Sequence, residues 1–215
     1  MTICAALLLA GSIRSAIADW NLVPTGSMNP TIVEGDRILV NKLAYDLKLP
    51  FTNRHLYTWQ NPQRGDIVVF IAPETEIPMV KRVVGVPGDS IFMQDNHLYI
   101  NGKPVLYENL SEKQKDLLAP ECDYFQRVLI ENLNGYKHSV ILTPYRPSKN
   151  SFDPIPIPRD HYLVLGDNRD NSADSRYFGL VKRWRIMGQA TTVMISLDLT
   201  DDNRPRWKRF FKPLL

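Results

Sequence analysis

Short runs of β-branched and aromatic residues, each closed off by glycine, proline, aspartate or asparagine, most narrow what this chain can become. "DRILVNKLAY" (Asp36 to Tyr45), "GDIVVFIA" (Gly65 to Ala72), "VKRVVGVPGDSIFM" (Val80 to Met93), "HYLVLGD" (His161 to Asp167) and "QATTVMISLD" (Gln189 to Asp198) are of this kind. Within "HLYINGKPV", Asn101-Gly102 is the dipeptide that most favours a two-residue hairpin. Helical signal is thin and concentrates in "SEKQKDLL" (Ser111 to Leu118), with Ser111 as a cap. The expectation is a mainly β chain with an antiparallel sheet as its core.

The run of strands is interrupted. Between about Val105 and Arg159 charge rises, strand signals weaken, and "TPYRPSKNSFDPIPIPRD" (Thr143 to Asp160) is dense in proline. Proline removes ladder donors and cannot occupy a central strand, so 105–159 reads as an inserted α+β or irregular region ending in an extended linker. The β-rich core then comes from two segments, 20–104 and 160–203, with a basic, aromatic tail at 204–215.

Residues 1–19 have a different character. "ICAALLLAG" (Ile3 to Gly11) is an apolar run well short of the ~20 residues that span a bilayer. The favoured reading is part of a membrane-anchor helix. A removable signal peptide ending at Ala16-Ile17-Ala18 and an ordinary buried helix are the alternatives, and the first lacks a basic leading segment. Under either membrane-directed reading, the chain beyond Asp19 lies on the outer face of the membrane.

At 215 residues and 44% hydrophobic, the chain can bury a sizeable core. A net charge of +3 gives no case for nucleic-acid binding, which calls for a concentrated basic face. The two cysteines, Cys4 and Cys122, are too few for a disulfide framework, and four scattered histidines with no CxxC give no metal signature.

Chemistry is sought first at Ser27, in "VPTGSMNPTIVEGD" (Val23 to Asp36). Serine becomes nucleophilic when a base takes its proton, and none of His55, His97, His138 and His161 lies in a compact polar motif. Lysine serves instead when burial makes its charged form costly. Lys81, flanked by Met79, Val80, Val83 and Val84, sits in such an apolar run, with Arg82 pointing to the other face of the strand. Strand lysines more often face water, and that reading stays open at this point. A polar loop, "LGDNRDNSADSRYFG" (Leu165 to Gly179), comes directly after a hydrophobic strand, where functional loops tend to sit, although Asx-turn chemistry also accounts for its Asp and Asn content.

"PTGSMNPT" (Pro24 to Thr31), "VKRVVGVPGD" (Val80 to Asp89) and "GDNRDNSADSRYFG" (Gly166 to Gly179), with "GDRILVNKLAY" (Gly35 to Tyr45) between the first two, resemble in order the signature boxes of type I signal peptidases. The resemblance implies a membrane-bound serine endopeptidase acting on exported preproteins after a small-x-small site. It implies Ser27 as nucleophile, Lys81 as general base, and Ser172 as the serine that orients the lysine. Thr25, where many members carry serine, would form the oxyanion hole with the Ser27 backbone N-H. Asp174 and Arg176 would be a supporting ion pair with Arg82 nearby, and Met28 would line the substrate groove or touch lipid. No metal or organic cofactor is implied, the partners are preproteins and the bilayer, and a monomer is assumed.

The chain's own Ala16-Ile17-Ala18 satisfies the same cleavage rule and raises self-cleavage as an expectation to test. A pilin-maturing peptidase with the same dyad and a non-catalytic membrane-tethered β-domain remain alternatives. A self-cleaving repressor would need a DNA-binding helical segment. In "RPRWKRFFKPLL" (Arg204 to Leu215), cations alternate with Trp207, Phe210 and Phe211, a composition suited to the lipid interface, to a solvated tail, or to a strand packed on the core.

Overall fold

The computed structural model describes residues 18–49, 52, 55–110 and 126–214. The expected anchor helix, both cysteines and the expected helix at Ser111 to Leu118 lie outside these. No helix among the described residues is long and apolar enough to cross a membrane.

The principal sheet has nine strands and is antiparallel throughout. Its order is β1 (Ala18–Leu22), β2 (Asp36–Asn41), β16 (Ile186–Asp198), β5 (Ile67–Ile71), β6 (Pro78–Gly85), β14 (His161–Leu165) and β15 (Val181–Lys182), while β17 (Arg204–Pro205) and β18 (Lys212–Pro213) pair with β16. β16 serves four partners because its register shifts between Ile186 and Gly188, Ala190 and Thr192, and Val193 and Ile195. Such irregularities bend a strand and raise its twist, which curls the sheet. Gly188 is required at the first of them, since a Cβ there would stand 2.6 Å from the Asn41 carbonyl oxygen.

Alternation explains the unbroken apolar run of β5. Ile67 and Val69 enter one core cluster with Met28, Ile38, Val40 and Val193, whereas Val68 and Phe70 enter another with Tyr45, Val83, Tyr162 and Val164. A strand covered on both faces has no reason to alternate with polar residues.

A third cluster lies under the four-stranded sheet β13 (Phe152–Pro156), β7 (Ser90–Gln94), β8 (His97–Ile100) and β9 (Lys103–Pro104). Asn101 and Gly102 turn β8 into β9 with φ of 52° and 76°, both in the left-handed region that this hairpin turn requires. β3 (Asp46–Lys48) and β4 (His55–Thr58) form a separate hairpin.

The stretch from 105 to 159 holds more strand than its composition announces. β10 (Leu106–Asn109), β11 (Arg127–Leu133) and β12 (Tyr136–Leu142) form a three-stranded sheet. Asn134-Gly135, at φ of 54° and 102°, supplies the β11–β12 turn. The proline-rich segment expected as a linker contributes β13, which among the described strands pairs with β7 alone and so occupies an edge, where proline is tolerated.

The C-terminal tail packs on the core. Leu214 is buried in the cluster around Met28, and Arg209 donates to Asp36 at 3.2 and 2.7 Å.

Candidate active site

Three elements converge on Ser27. The first is the single 3-10 turn Gly26–Met28, closed by the Asn29 N-H donating to the Gly26 carbonyl at 3.1 Å. The second is the middle of β6, where Lys81 donates from Nζ to Ser27 Oγ at 2.7 Å and to its neighbour's carbonyl, Val80 O, at 3.0 Å. The third is the polar loop that leaves β14. Its Asn168 donates from the backbone N-H to Ser27 O at 3.1 Å and from Nδ2 to Gly26 O at 3.1 Å.

Lys81 is 2% exposed, so water does not solvate its ammonium form. Burial pushes its pKa down to about 8, against the opposing pull of Asp174 and Asp167. Roughly a tenth of such a group is neutral at pH 7. Among the described residues the hydroxyl of Ser27 is met by lysine and threonine, Thr25 Oγ1 lying 3.4 Å away, and by no histidine.

Arg82, the next residue, goes elsewhere. It donates from Nε and Nη2 to the two oxygens of Asp167 at 2.8 and 2.7 Å, and from Nη1 to Gly65 O and Tyr136 Oη. Asp167 also accepts from Thr31 Oγ1 at 2.5 Å, which ties the segment after Ser27 to the polar loop. Burial alone would raise the Asp167 pKa, but the Arg82 guanidinium holds it below the usual carboxylate value.

Asp174 and Arg176 pair through Arg176 Nε at 2.8 Å and Nη2 at 2.8 Å. Asp174 also caps the short helix α1 (Ser175–Phe178) and accepts from the Gly166 N-H, and Ser175 Oγ accepts from the Val164 N-H. The loop is thereby folded back onto the strand it leaves. Arg82 stands in a pair of its own, with Asp167, and not with these two.

Ser172 Oγ is buried without a hydrogen-bond partner among the described residues. It lies against Gly166, where a Cβ would come within 2.3 Å of Ser172 Oγ and 2.5 Å of Ser27 O. The Ser172 side chain and the Ser27 carbonyl can both approach the backbone at 166 because that residue has no side chain.

Met28 corrects its expectation. It is 0% exposed, packed with Val23, Ile32, Ile38 and Val69. It can neither reach lipid nor line a groove, because the turn that presents Ser27 directs the next side chain inward.

A groove of about 220 Å³ runs past Ser27, Thr25 and Lys81 between residues 21–25 and 77–81, lined by Leu22, Ile38, Val69, Ile77, Met79 and Val80. Its two walls are strand edges. β1 pairs only with β2, and β14 covers β6 only from Arg82 to Gly85, so residues 78–81 pair on one side alone among the described strands.

Behind the site lies a buried network that joins the polar loop to Glu131 and His138, two residues outside every quoted motif. Arg169 donates to both oxygens of Glu131, at 2.7 and 2.5 Å, and from Nε to Gly166 O, while Arg176 Nη2 donates to Arg169 O. His138 faces Glu131 and Asp167 at 3.3 and 3.6 Å; burial first, then the neighbouring Arg82, pushes its pKa down to about 4. Glu131 and His138 are register partners on β11 and β12. A signal for them existed: two polar residues on either side of Asn134-Gly135, in runs otherwise apolar at alternate positions.

The sequence model of the family signal peptidase, peptidase S26, matches residues 1–195. Signal peptidase I of Buchnera aphidicola subsp. Schizaphis graminum is 35% identical over 90% of this chain and 73% of that protein. Signal peptidase I of Pseudomonas aeruginosa is 36% identical over 92% and 72%, and signal peptidase I P of Bacillus subtilis subsp. natto 35% over 90% and 85%. A crystal structure of a signal peptidase I from Enterococcus faecalis aligns at 32% identity over 62% of this chain and all of that one, with a TM-score of 0.37. A serine endopeptidase is the class these matches define. Within that class, the chain belongs to the signal peptidase family, peptidase S26.

Proposed function

We propose that this chain removes signal peptides from exported preproteins, with Ser27 as nucleophile and Lys81 as general base. The observation that carries the reading is the 2.7 Å contact between Ser27 Oγ and the amine of a lysine that the core keeps from water. A desolvated amine is the base that a serine without histidine needs.

Neutral Lys81 takes the Ser27 proton as Oγ attacks the scissile carbonyl. The tetrahedral oxyanion is met by the Ser27 backbone N-H and the Thr25 hydroxyl. Collapse returns the proton from Lys81 to the departing amine, the new N-terminus of the mature protein, and leaves the signal peptide as an ester on Ser27. Lys81 then deprotonates a water that hydrolyses the ester. Ser172, whose buried hydroxyl has no hydrogen-bond partner among the described residues, would orient the lysine during this cycle. Asp174 with Arg176, and Arg82 with Asp167, hold the loop and strand that carry these groups.

The groove supports an extended substrate. Two strand edges facing one cleft can take a peptide by main-chain pairing, with side chains alternating between apolar lining and solvent. A small residue next to the scissile bond suits a groove whose lining includes Ile38, Val69 and Val80.

The bilayer is the second partner in this reading, with the described domain on the outer face of the membrane. Leu22 and Ile77, which line the groove, are 53% and 59% exposed, and Trp20 is 54% exposed two residues before Leu22. Aromatic and aliphatic side chains at a cleft mouth suit the headgroup region, where the cleavage site of a membrane-inserted signal peptide emerges.

Labelling by a serine-directed acylating peptide analogue, followed by mass mapping, tests the nucleophile. Modification at Ser27 is expected, and modification at a different serine with Ser27 unlabelled would reject it.

A further inference from the structure

The Ser27 N-H and the Gly26 C=O are opposite ends of one planar peptide unit, so whatever fixes the carbonyl also aims the N-H. Two donors fix it. One is the Asn29 N-H within the 3-10 turn; the other is Nδ2 of Asn168, at 3.1 Å, from a segment far along the chain. The backbone N-H of Asn168 meanwhile holds Ser27 O at 3.1 Å. One residue therefore grips the carbonyls on both sides of the Ser27 Cα, and with them the rotations that set the direction of the Ser27 N-H.

The grip is itself rigid. Asn168 is 2% exposed, its carbonyl accepts from the Asn171 N-H at 3.0 Å, and the preceding carbonyl, Asp167 O, accepts from the Ile141 N-H of β12 at 2.8 Å. Its amide can face Gly26 O in only one sense, because the reverse would set oxygen against oxygen.

We infer that Asn168 is a positioning residue for oxyanion stabilisation, acting through the peptide unit that joins Gly26 to Ser27. The inference rests on the Ser27/Lys81 reading and adds to it a group that touches neither substrate nor base. Asn168→Ala frees the Gly26 carbonyl from one of its two donors. Asn168→Asp keeps size and the backbone N-H but places a carboxylate oxygen against that carbonyl.

The test measures kcat and KM on a preprotein with an Ala-x-Ala site for the full chain and for Asn168→Ala, Asn168→Asp, Ser27→Ala and Lys81→Ala. It adds binding of a peptide boronate, which forms a tetrahedral adduct, and of an uncleavable peptide. Removing an oxyanion donor outright costs about 10²–10³ in kcat, so misaiming one predicts about 10- to 100-fold. KM and uncleavable-peptide binding should stay within about twofold while boronate affinity falls in step with kcat, as for an interaction made only in the transition state. The acid limb of the pH profile should not move in Asn168→Ala, which leaves the charges around Lys81 unchanged, whereas in Asn168→Asp an ionised carboxylate would shift it to higher pH, so that variant is compared on the alkaline plateau.

Undiminished kcat in folded Asn168→Asp would overturn the inference, and so would equal losses for boronate and uncleavable peptide. If Asn168→Ala does not fold, Asn168→Asp decides alone. Failure of the underlying reading is separable, since it would appear as retained activity in Ser27→Ala or Lys81→Ala.

Discussion

Arg82 and Asp167 form a two-pronged ion pair at 2.8 and 2.7 Å, each side chain 1% exposed, one residue along β6 from the lysine that reaches Ser27. The same strand thus sends one cation to the nucleophile as a desolvated amine and the next to a carboxylate that keeps it charged. Guanidinium suits the second task, because it stays protonated and matches two carboxylate oxygens at once.

Breaking that pair should unfold the site. Asp167→Ala leaves Arg82 charged, buried and without its partner, a change that costs about 3–5 kcal/mol. Denaturant titration should show that loss; a variant within about 0.5 kcal/mol of the parent would mean that Tyr136 and Gly65 suffice to satisfy Arg82.

Activity should rise with pH through the Lys81 titration. The neutral amine is the active form, so kcat/KM should climb with an apparent pKa near 8 and level off above it. Stability has the same sign. The folded pKa lies below the unfolded ~10.4, so the unfolded chain binds the extra proton and this group makes folding more favourable as pH rises from about 8 to about 10.4. Lys81→Met, which removes the burial penalty, should be inactive yet at least as stable as the parent at pH 7. A less stable Lys81→Met chain would show that the amine is not desolvated as described.

Gly166→Ala should abolish processing. The added methyl would meet Ser172 Oγ and the Ser27 carbonyl at 2.3 and 2.5 Å, and the second of these is backbone that cannot swing away. Turnover and acylation of Ser27 should fall together; full activity would show that the loop relaxes at no cost.

The strands were readable because burial on both faces leaves long β-branched runs, as in Ile67–Ile71, and because Asn101-Gly102 has a local turn preference. Less readable was whatever depends on distant chain. Lys81 lies in an apolar run, but its exposure is decided by the turn at Ser27 and the loop after Leu165. Met28 beside the nucleophile suits a substrate groove or lipid by its apolar, flexible side chain, and only the packing of Ile38 and Val69 around it places it in the core. Glu131 and His138 interrupt apolar alternation on either side of Asn134-Gly135, but nothing local shows that Arg169 will cover them. Asn168 was hidden by its own chemistry, because asparagine in a polar loop is explained by turn formation alone.

The tail offers a test in which membrane contact and packing come apart. Trp207 and Phe211 are 72% and 67% exposed, while Arg209 and Leu214 hold the tail to the core. Trp207→Ser with Phe211→Ser should lower binding to anionic vesicles and leave thermal unfolding unchanged. Arg209→Ala, which strips Asp36 of its guanidinium, should lower the unfolding midpoint. Equal vesicle binding by the double variant and the parent would remove the tail from the membrane contact.

Most direct is cleavage of a preprotein with an Ala-x-Ala site, in detergent, by the purified chain beside its Ser27→Ala and Lys81→Ala variants. Processing by the parent, with both variants folded and inactive, is the predicted result. Processing that persists in folded Lys81→Ala would contradict the central claim that the buried amine 2.7 Å from Ser27 Oγ is the base.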